Sequence, residues 1–469
     1  MKKTTLLSIL LAIAIISCEK DDITPSITTI LEQDKKITIT ETNDLENGEQ
    51  LIKFTIKQPL DHNNPNGPYF VQNGSLLHRN YKLPIIFMPS GYGRSQVRHY
   101  NLTHFTFTKG KETGQPNILA VDHRYYGNNG LDFEQLDPQY LNIEQAAHDL
   151  HQIVNTFKKA YKSKWISMGY SKGGRTCIYH KYYFPNDVDA TLSFVAPITL
   201  KEADDRFHDH IKKIHTPEEY TKMLKFQRLL LLKRDELKPL LEEWYRDNGL
   251  IMDRETDKVI EGIALGYPFV YWQYRSYWRL GETSILKAPT IEDNADVIFN
   301  FLSSTYFLDS YSKTRNTKYN PYYYQSRTQL GYPLYGEYEA LSDLLLYYKN
   351  PSENPYVFNP KAVQDVLNWL DQKGGNIIHF YGSKDPWTAA MYVNNPNVDG
   401  HTLIHNGGDH LIDFFHFYHD NHSDYIAMNK LESWTGYNIE YIPDYNKAAL
   451  KRSNLKNMII EELTIPIIP

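Results

Sequence analysis

The chain has 469 residues, 41% hydrophobic and 23% charged, which suits a folded globular protein of one large or two ordinary domains. The net charge of −6, with no long basic run, argues against a nucleic-acid partner. Aromatics reach 14% with 37 tyrosines, a composition read first as core packing and second as the lining of a binding cleft.

The N-terminus reads as a targeting segment. Lys2 and Lys3 precede a short apolar run, Leu6 to Ile16, too brief to span a bilayer comfortably. Ile15-Ile16-Ser17-Cys18 then resembles a bacterial lipobox, with Cys18 the lipidated residue at the end of a signal peptide over 1–18. The expectation is an exported bacterial lipoprotein of the outer membrane or cell surface, touching membrane only through that anchor. Cys177 is the one other cysteine, so a lipidated chain has no internal disulfide and must rest on its core. Cys177 itself reads as a buried small hydrophobe six residues after Ser171.

Residues 19–49 are polar and read as a linker ending in an edge strand. Ile52, Phe54 and Ile56 alternate with polar residues as a half-buried strand does, and Tyr69 to Leu77 returns as its hairpin partner. Short apolar runs follow at 83–88, 118–121, 165–168, 190–195, 377–381 and 402–404, as expected of strands buried on both faces of a mostly parallel sheet. Ile143, Ala146, Ala147, Leu150, Ile153 and Val154 predict an amphipathic helix over 143–160. Alternating strands and helices indicate an α/β fold, with core segments 50–199 and 363–469. Between them, 200–362 reads as a helical cap with helices over 217–233, 236–247, 256–277 and 338–348, lying above the sheet edge where ligands bind.

Gly169-Tyr170-Ser171-Lys172-Gly173 fits G-x-S-x-G, and it sits between a predicted strand and a helix-compatible stretch. That context, more than the pentapeptide, points to a nucleophile elbow and to Ser171 as nucleophile. A serine needs a base, and the base an orienting acid, in the chain order Ser, acid, His. Asp385 follows the late strand 377–381 directly. His410 comes next, after Gly407-Gly408, whose freedom lets the loop turn the ring inward. His405 and His379 lie nearer to or within strands, and Asp409 adjoins His410 too closely to orient its ring. The oxyanion hole calls for two amides: that of Lys172, and one from the loop after strand 83–88, with Tyr92 first and Gly91 as the alternative. No HExxH or clustered Cys/His is present, so neither metal nor organic cofactor is expected.

Seven stretches, in order over about 50–410, carry a resemblance. They are Phe54–His62, Met88–Gly93, Asp122–Gly127, Asn142–Ala147, Gly169–Gly174, Tyr381–Trp387 and Gly407–His410. Together they resemble serine peptidase family thirty-seven, the secreted bacterial tripeptidyl aminopeptidases, and more distantly the lysosomal prolyl carboxypeptidase group. The resemblance implies an α/β-hydrolase fold with a helical cap. It also implies a triad on Ser171, Asp385 and His410, and a peptide substrate cut near its free N-terminus. In the cap, Tyr267–Gln273 and Tyr322–Gly331 also look familial, which makes Trp272, Gln325 and Gln329 candidate substrate contacts. Gln329 stands where the resemblance implies an acid for the substrate ammonium; Glu242 and Glu243 are other cap acids for that task. Two competing readings are a carboxylic-ester hydrolase and a catalytically silent surface lipoprotein that binds peptides or glycans.

Overall fold

The computed structural model describes residues 25–45, 48–93, 105–126, 133, 137–277, 284–334, 336–350, 354–419 and 424–441. Cys18 lies outside the described residues.

Nine strands form one sheet. They are β1 (Ile37–Asp44), β2 (Gln50–Pro59), β3 (Tyr69–His78), β4 (Ile85–Pro89), β5 (Asn117–Val121), β6 (Trp165–Tyr170), β7 (Ala190–Phe194), β8 (Ile377–Gly382) and β9 (His401–His405). The spatial order is β1-β2-β3-β5-β4-β6-β7-β8-β9. The first three strands and the β3–β5 pair are antiparallel, and every later pair is parallel. β1, predicted within the linker segment, is the sheet's edge, and a single-turn helix at Ile27–Leu31 that the polar composition did not signal precedes it.

The central strands are apolar throughout because both faces are covered. Ile85, Phe87, Leu119 and Val121 pack under Leu150, Ile153, Val154 and Phe157 of helix α1 (Ile143–Phe157). Their neighbours Ile86, Met88, Ile118 and Ala120 join Ile166, Met168 and Phe194 in the opposite core. Alternation along each strand assigns the two sets to opposite faces. This is the α/β-hydrolase fold that the sequence led us to expect.

After β7 the chain leaves the sheet for a helical cap: α3 (Arg206–Ile214), α4 (Pro217–Leu232), α5 (Arg234–Asp247), α6 (Thr256–Gln273), α7 (Ala295–Thr305) and α8 (Lys313–Gln325). The predicted helix over 338–348 is shorter than its apolar pattern suggested and runs only Tyr338–Leu341. There Leu346, Tyr347 and Tyr348 spend their amides on the buried Glu261 carboxylate instead of an i−4 ladder. Among the described residues no helix is long and apolar enough to cross a membrane.

The early sequence stretches converge on one polar cluster. Asp149 of α1 accepts from Arg124 Nε at 2.7 Å on Oδ2 and from Nη2 at 2.9 Å on Oδ1, and His62 Nε2 lies 2.7 Å from that same Oδ1. Gln58 donates to the Asp149 carbonyl, and Gln145 bridges Asp61 and the His62 amide. Arg124 and Asp149 are 1% exposed. Removing one member of such a pair strands a buried charge, at a cost of about 3–5 kcal/mol. Asp149→Ala is therefore expected to lose about that much in urea unfolding at pH 7; a loss under 1 kcal/mol would show the cluster to be incidental.

His379 sits mid-strand in β8, fully buried, with neither ring nitrogen hydrogen-bonded. Burial lowers its pKa from 6.5 to about 3. The unfolded chain thus binds a proton that the folded one refuses. Stability is retained above about pH 6.5 and falls as the pH drops toward 3. His379→Leu removes this penalty. Relative to the parent, the variant should gain about 2 kcal/mol on going from pH 8 to pH 5. Denaturant unfolding at the two pH values measures the difference, and an equal effect at both contradicts it.

Candidate active site

β6 ends at Tyr170, and Ser171 turns the chain directly into α2 (Lys172–Tyr183). Ser171 adopts φ +51° and ψ −122°, a strained backbone for a residue with a side chain. The turn holds because its neighbours leave room. A Cβ on Gly169 would lie 2.5 Å from Gly173, and one on Gly174 would lie 3.0 Å from Ala196. The Ser171 amide bonds the Phe194 carbonyl at 2.8 Å, which pins the elbow to β7. The Ser171 hydroxyl makes no helix-capping bond, so its oxygen is left for another partner.

That partner is His410. Its Nε2 lies 3.0 Å from Ser171 Oγ, and its Nδ1 lies 2.6 Å from Asp385 Oδ2. With Nδ1–H donating to the carboxylate, Nε2 is left to accept from the serine hydroxyl. Asp385 Oδ1 accepts the Trp387 amide at 3.0 Å. Ser171 is 6% exposed, and His410 and Asp385 are 0% exposed, so the three interact away from bulk water.

The two loops are fitted to each other. A Cβ on Gly382 would lie 2.4 Å from the Gly408 carbonyl, and the Lys384 amide bonds that same carbonyl at 2.8 Å. Gly407 takes φ +76°, the left-handed turn expected of the glycine pair. The cap grips both loops as well. His210 of α3 contacts the Asp385 carbonyl at 3.0 Å, and Gln273 at the end of α6 accepts the His410 amide at 3.1 Å. Asp409 serves the same junction: its carboxylate accepts the Ser276 and Leu411 amides, and burial raises its pKa. Sequence reasoning treated Asp409 only as a rival acid and missed this role, since its partner Ser276 is 133 residues away.

At the oxyanion position, the Lys172 amide stands in the first turn of α2, where intrahelical bonding leaves N–H groups free. The loop after β4 packs tightly on it; a Cβ on Gly91 would lie 2.6 Å from the Gly173 nitrogen. The Tyr92 amide, our first nominee, donates to Ser90 Oγ at 3.0 Å, which favours the Gly91 alternative. The Lys172 side chain has a part of its own: Nζ donates to the Gly91 carbonyl at 2.7 Å.

The structure gives the candidate substrate contacts other neighbours. Gln329 Oε1 accepts the Ile143 amide at 2.9 Å and so caps α1. Trp272 is fully buried; its Nε1 donates to His215 Nε2 at 2.6 Å, and Arg275 and Lys384 cover its ring. Gln325 is 1% exposed and lines a small cavity behind the oxyanion loop. Glu242 accepts from Thr256, and Glu243 is exposed beside Arg246. Cys177 is buried in α2, where burial raises its thiol to about 12 and makes it inert. Among the described residues no group of three His, Cys, Asp or Glu side chains is placed to hold a metal ion.

A prolyl tri/tetrapeptidyl aminopeptidase of Streptomyces mobaraensis is 28% identical over 356 residues, 74% of this chain and 71% of that protein. Solved structures include a peroxisomal α/β-hydrolase of Saccharomyces cerevisiae, at 12% identity and TM-score 0.40, covering 89% of this chain and 100% of the other. The proline iminopeptidase of Mycobacterium smegmatis aligns at 10% identity and TM-score 0.37, over 80% and 96%. The pattern that defines the PS-10 peptidase S37 family matches residues 34–453. With that match spanning nearly all of the sheet, the cap and the Ser171–His410–Asp385 cluster, the chain belongs to the PS-10 peptidase S37 family.

Proposed function

We propose that this protein is a serine peptidase that releases short peptides, mainly tripeptides, from free N-termini through an acyl-enzyme on Ser171. The observation that carries the reading is the buried chain of contacts from Ser171 Oγ to His410 Nε2 at 3.0 Å and from His410 Nδ1 to Asp385 Oδ2 at 2.6 Å. In the first step His410 takes the hydroxyl proton as Ser171 Oγ attacks the scissile carbonyl. Asp385 fixes the ring's tautomer and stabilises the imidazolium. The tetrahedral oxyanion is held by the Lys172 amide and an amide of the 89–93 loop, each such donor contributing about 3 kcal/mol. His410 then protonates the departing amine. Water, activated by the same imidazole, hydrolyses the ester and frees the N-terminal fragment.

The preference for short fragments rests on the family resemblance, and the cap stands directly against the catalytic loops, its helices bonded to the Asp385 and His410 backbone. The similarity to a prolyl tri/tetrapeptidyl aminopeptidase supports the free N-terminus. The test is mass spectrometry of defined peptides, each with a free or acetylated N-terminus, incubated with the protein. Three-residue pieces should leave only the free forms. Intact peptides, together with turnover of acetyl or butyryl esters, would replace the peptidase reading with an esterase one.

The N-terminal motif supports export and anchoring through lipid on Cys18. Cys18→Ser should move the protein from the membrane fraction to the soluble envelope fraction; unchanged membrane retention would contradict the anchor.

A further inference from the structure

α2 carries Lys172 and Arg175 three residues apart, so both side chains emerge on one face of the helix. They are 1% and 2% exposed. Buried cations are normally met by carboxylates, because desolvating an unpaired charge is costly. Arg124 and Arg234 in this chain follow that rule, pairing with Asp149 and Glu261. Lys172 and Arg175 do not: among the described residues neither makes an ion pair. Lys172 Nζ bonds the Gly91 carbonyl and lies 5.6 Å and 5.3 Å from the ring centroids of Tyr92 and Tyr126. The Arg175 Nε is buried with no hydrogen-bond partner, as is Gln325 Oε1.

The Lys172 and Arg175 side chains face a cavity of about 10 Å³, lined also by His123, Thr176, Tyr179 and Gln325. That is the room needed by about one water-sized particle. Burial and the neighbouring Lys172 and Arg175 charges push the His123 pKa well down, so its imidazole adds no further positive charge. Burial and the Arg175 charge push the Lys172 ammonium well below its ordinary pKa, so the fixed charge in these walls is the Arg175 guanidinium with its unspent N–H.

We propose that this cavity is a site for one small monovalent anion of the halide class, held by Arg175 and Lys172 behind the oxyanion loop. The bound ion offsets the Arg175 charge and favours the ammonium form of Lys172, whose Nζ holds the Gly91 carbonyl. The site shares Lys172 with the oxyanion hole, and its test does not depend on catalysis.

The full chain is exchanged into sodium gluconate, and chloride replaces gluconate at constant ionic strength while thermal unfolding is followed. A saturable rise of roughly 2 °C or more is expected, reproduced by bromide and absent in Arg175→Gln. Bromide-soaked crystals of the parent locate the ion by anomalous scattering, which decides the matter even if the variant does not fold. A bromine peak within hydrogen-bond reach of the Arg175 guanidinium supports the site. An unfolding temperature indifferent to chloride, an equal rise in Arg175→Gln, or no peak beside Arg175 overturns it.

Discussion

Ser171→Ala should lower kcat for release of a tripeptide from a free N-terminus by roughly 10⁶-fold, the loss seen when a triad serine is removed elsewhere. The fold should survive. The Ser171 hydroxyl caps no helix, and alanine meets the same φ of +51° that serine already tolerates. Thermal unfolding should therefore stay close to that of the parent, which separates lost chemistry from lost structure. Residues of a triad act as a unit, so adding His410→Ala to Ser171→Ala should cost little more. Retention of even 1% of the activity in Ser171→Ala would place the nucleophile elsewhere.

Asp385→Asn should reduce kcat by about 10⁴-fold, and the structure says why. Asp385 Oδ1 accepts the Trp387 amide, and Oδ2 faces His410 Nδ1. An asparagine must keep its carbonyl oxygen on the Trp387 N–H, which turns its NH2 toward His410. Nδ1 then becomes the acceptor and the ring proton moves to Nε2. That proton points at Ser171 Oγ, so the imidazole can no longer accept the serine hydroxyl. The substitution conserves shape and inverts the tautomer. Steady-state kinetics on the same peptide, beside an unfolding curve matching the parent, would check it. A loss below tenfold would mean that Asp385 does not orient the base.

Much of this arrangement is legible in the sequence because it depends on local order. Apolar runs bounded by turn residues marked the buried strands. A strand, a G-x-S-x-G turn and a helix in succession marked Ser171. The acid after a late strand and the histidine after a glycine pair followed from chain order. The structure brings Ser171 and Asp385 each within hydrogen-bond reach of His410. What depends on long-range partners was not legible. Gln329 and Trp272 were nominated for their place in familiar stretches, yet each is spent on a distant group, the Ile143 amide and the His215 ring. Gln58, Asp61, His62 and Arg124 lie within resembling stretches without any visible task. Only the fold shows them gathered around Asp149. The helix over 338–348 failed for a related reason, since one buried carboxylate, Glu261, draws off the amides that would have continued it.

The most direct test of the central claim is covalent. The protein is treated with a fluorophosphonate, which reacts with activated serine hydroxyls, then digested and its modified peptide sequenced by mass spectrometry. The expected adduct is on Ser171, formed within minutes in the parent and suppressed in His410→Ala. A protein that stays unlabelled, or carries the adduct on another serine, would contradict the assignment of Ser171 as the nucleophile.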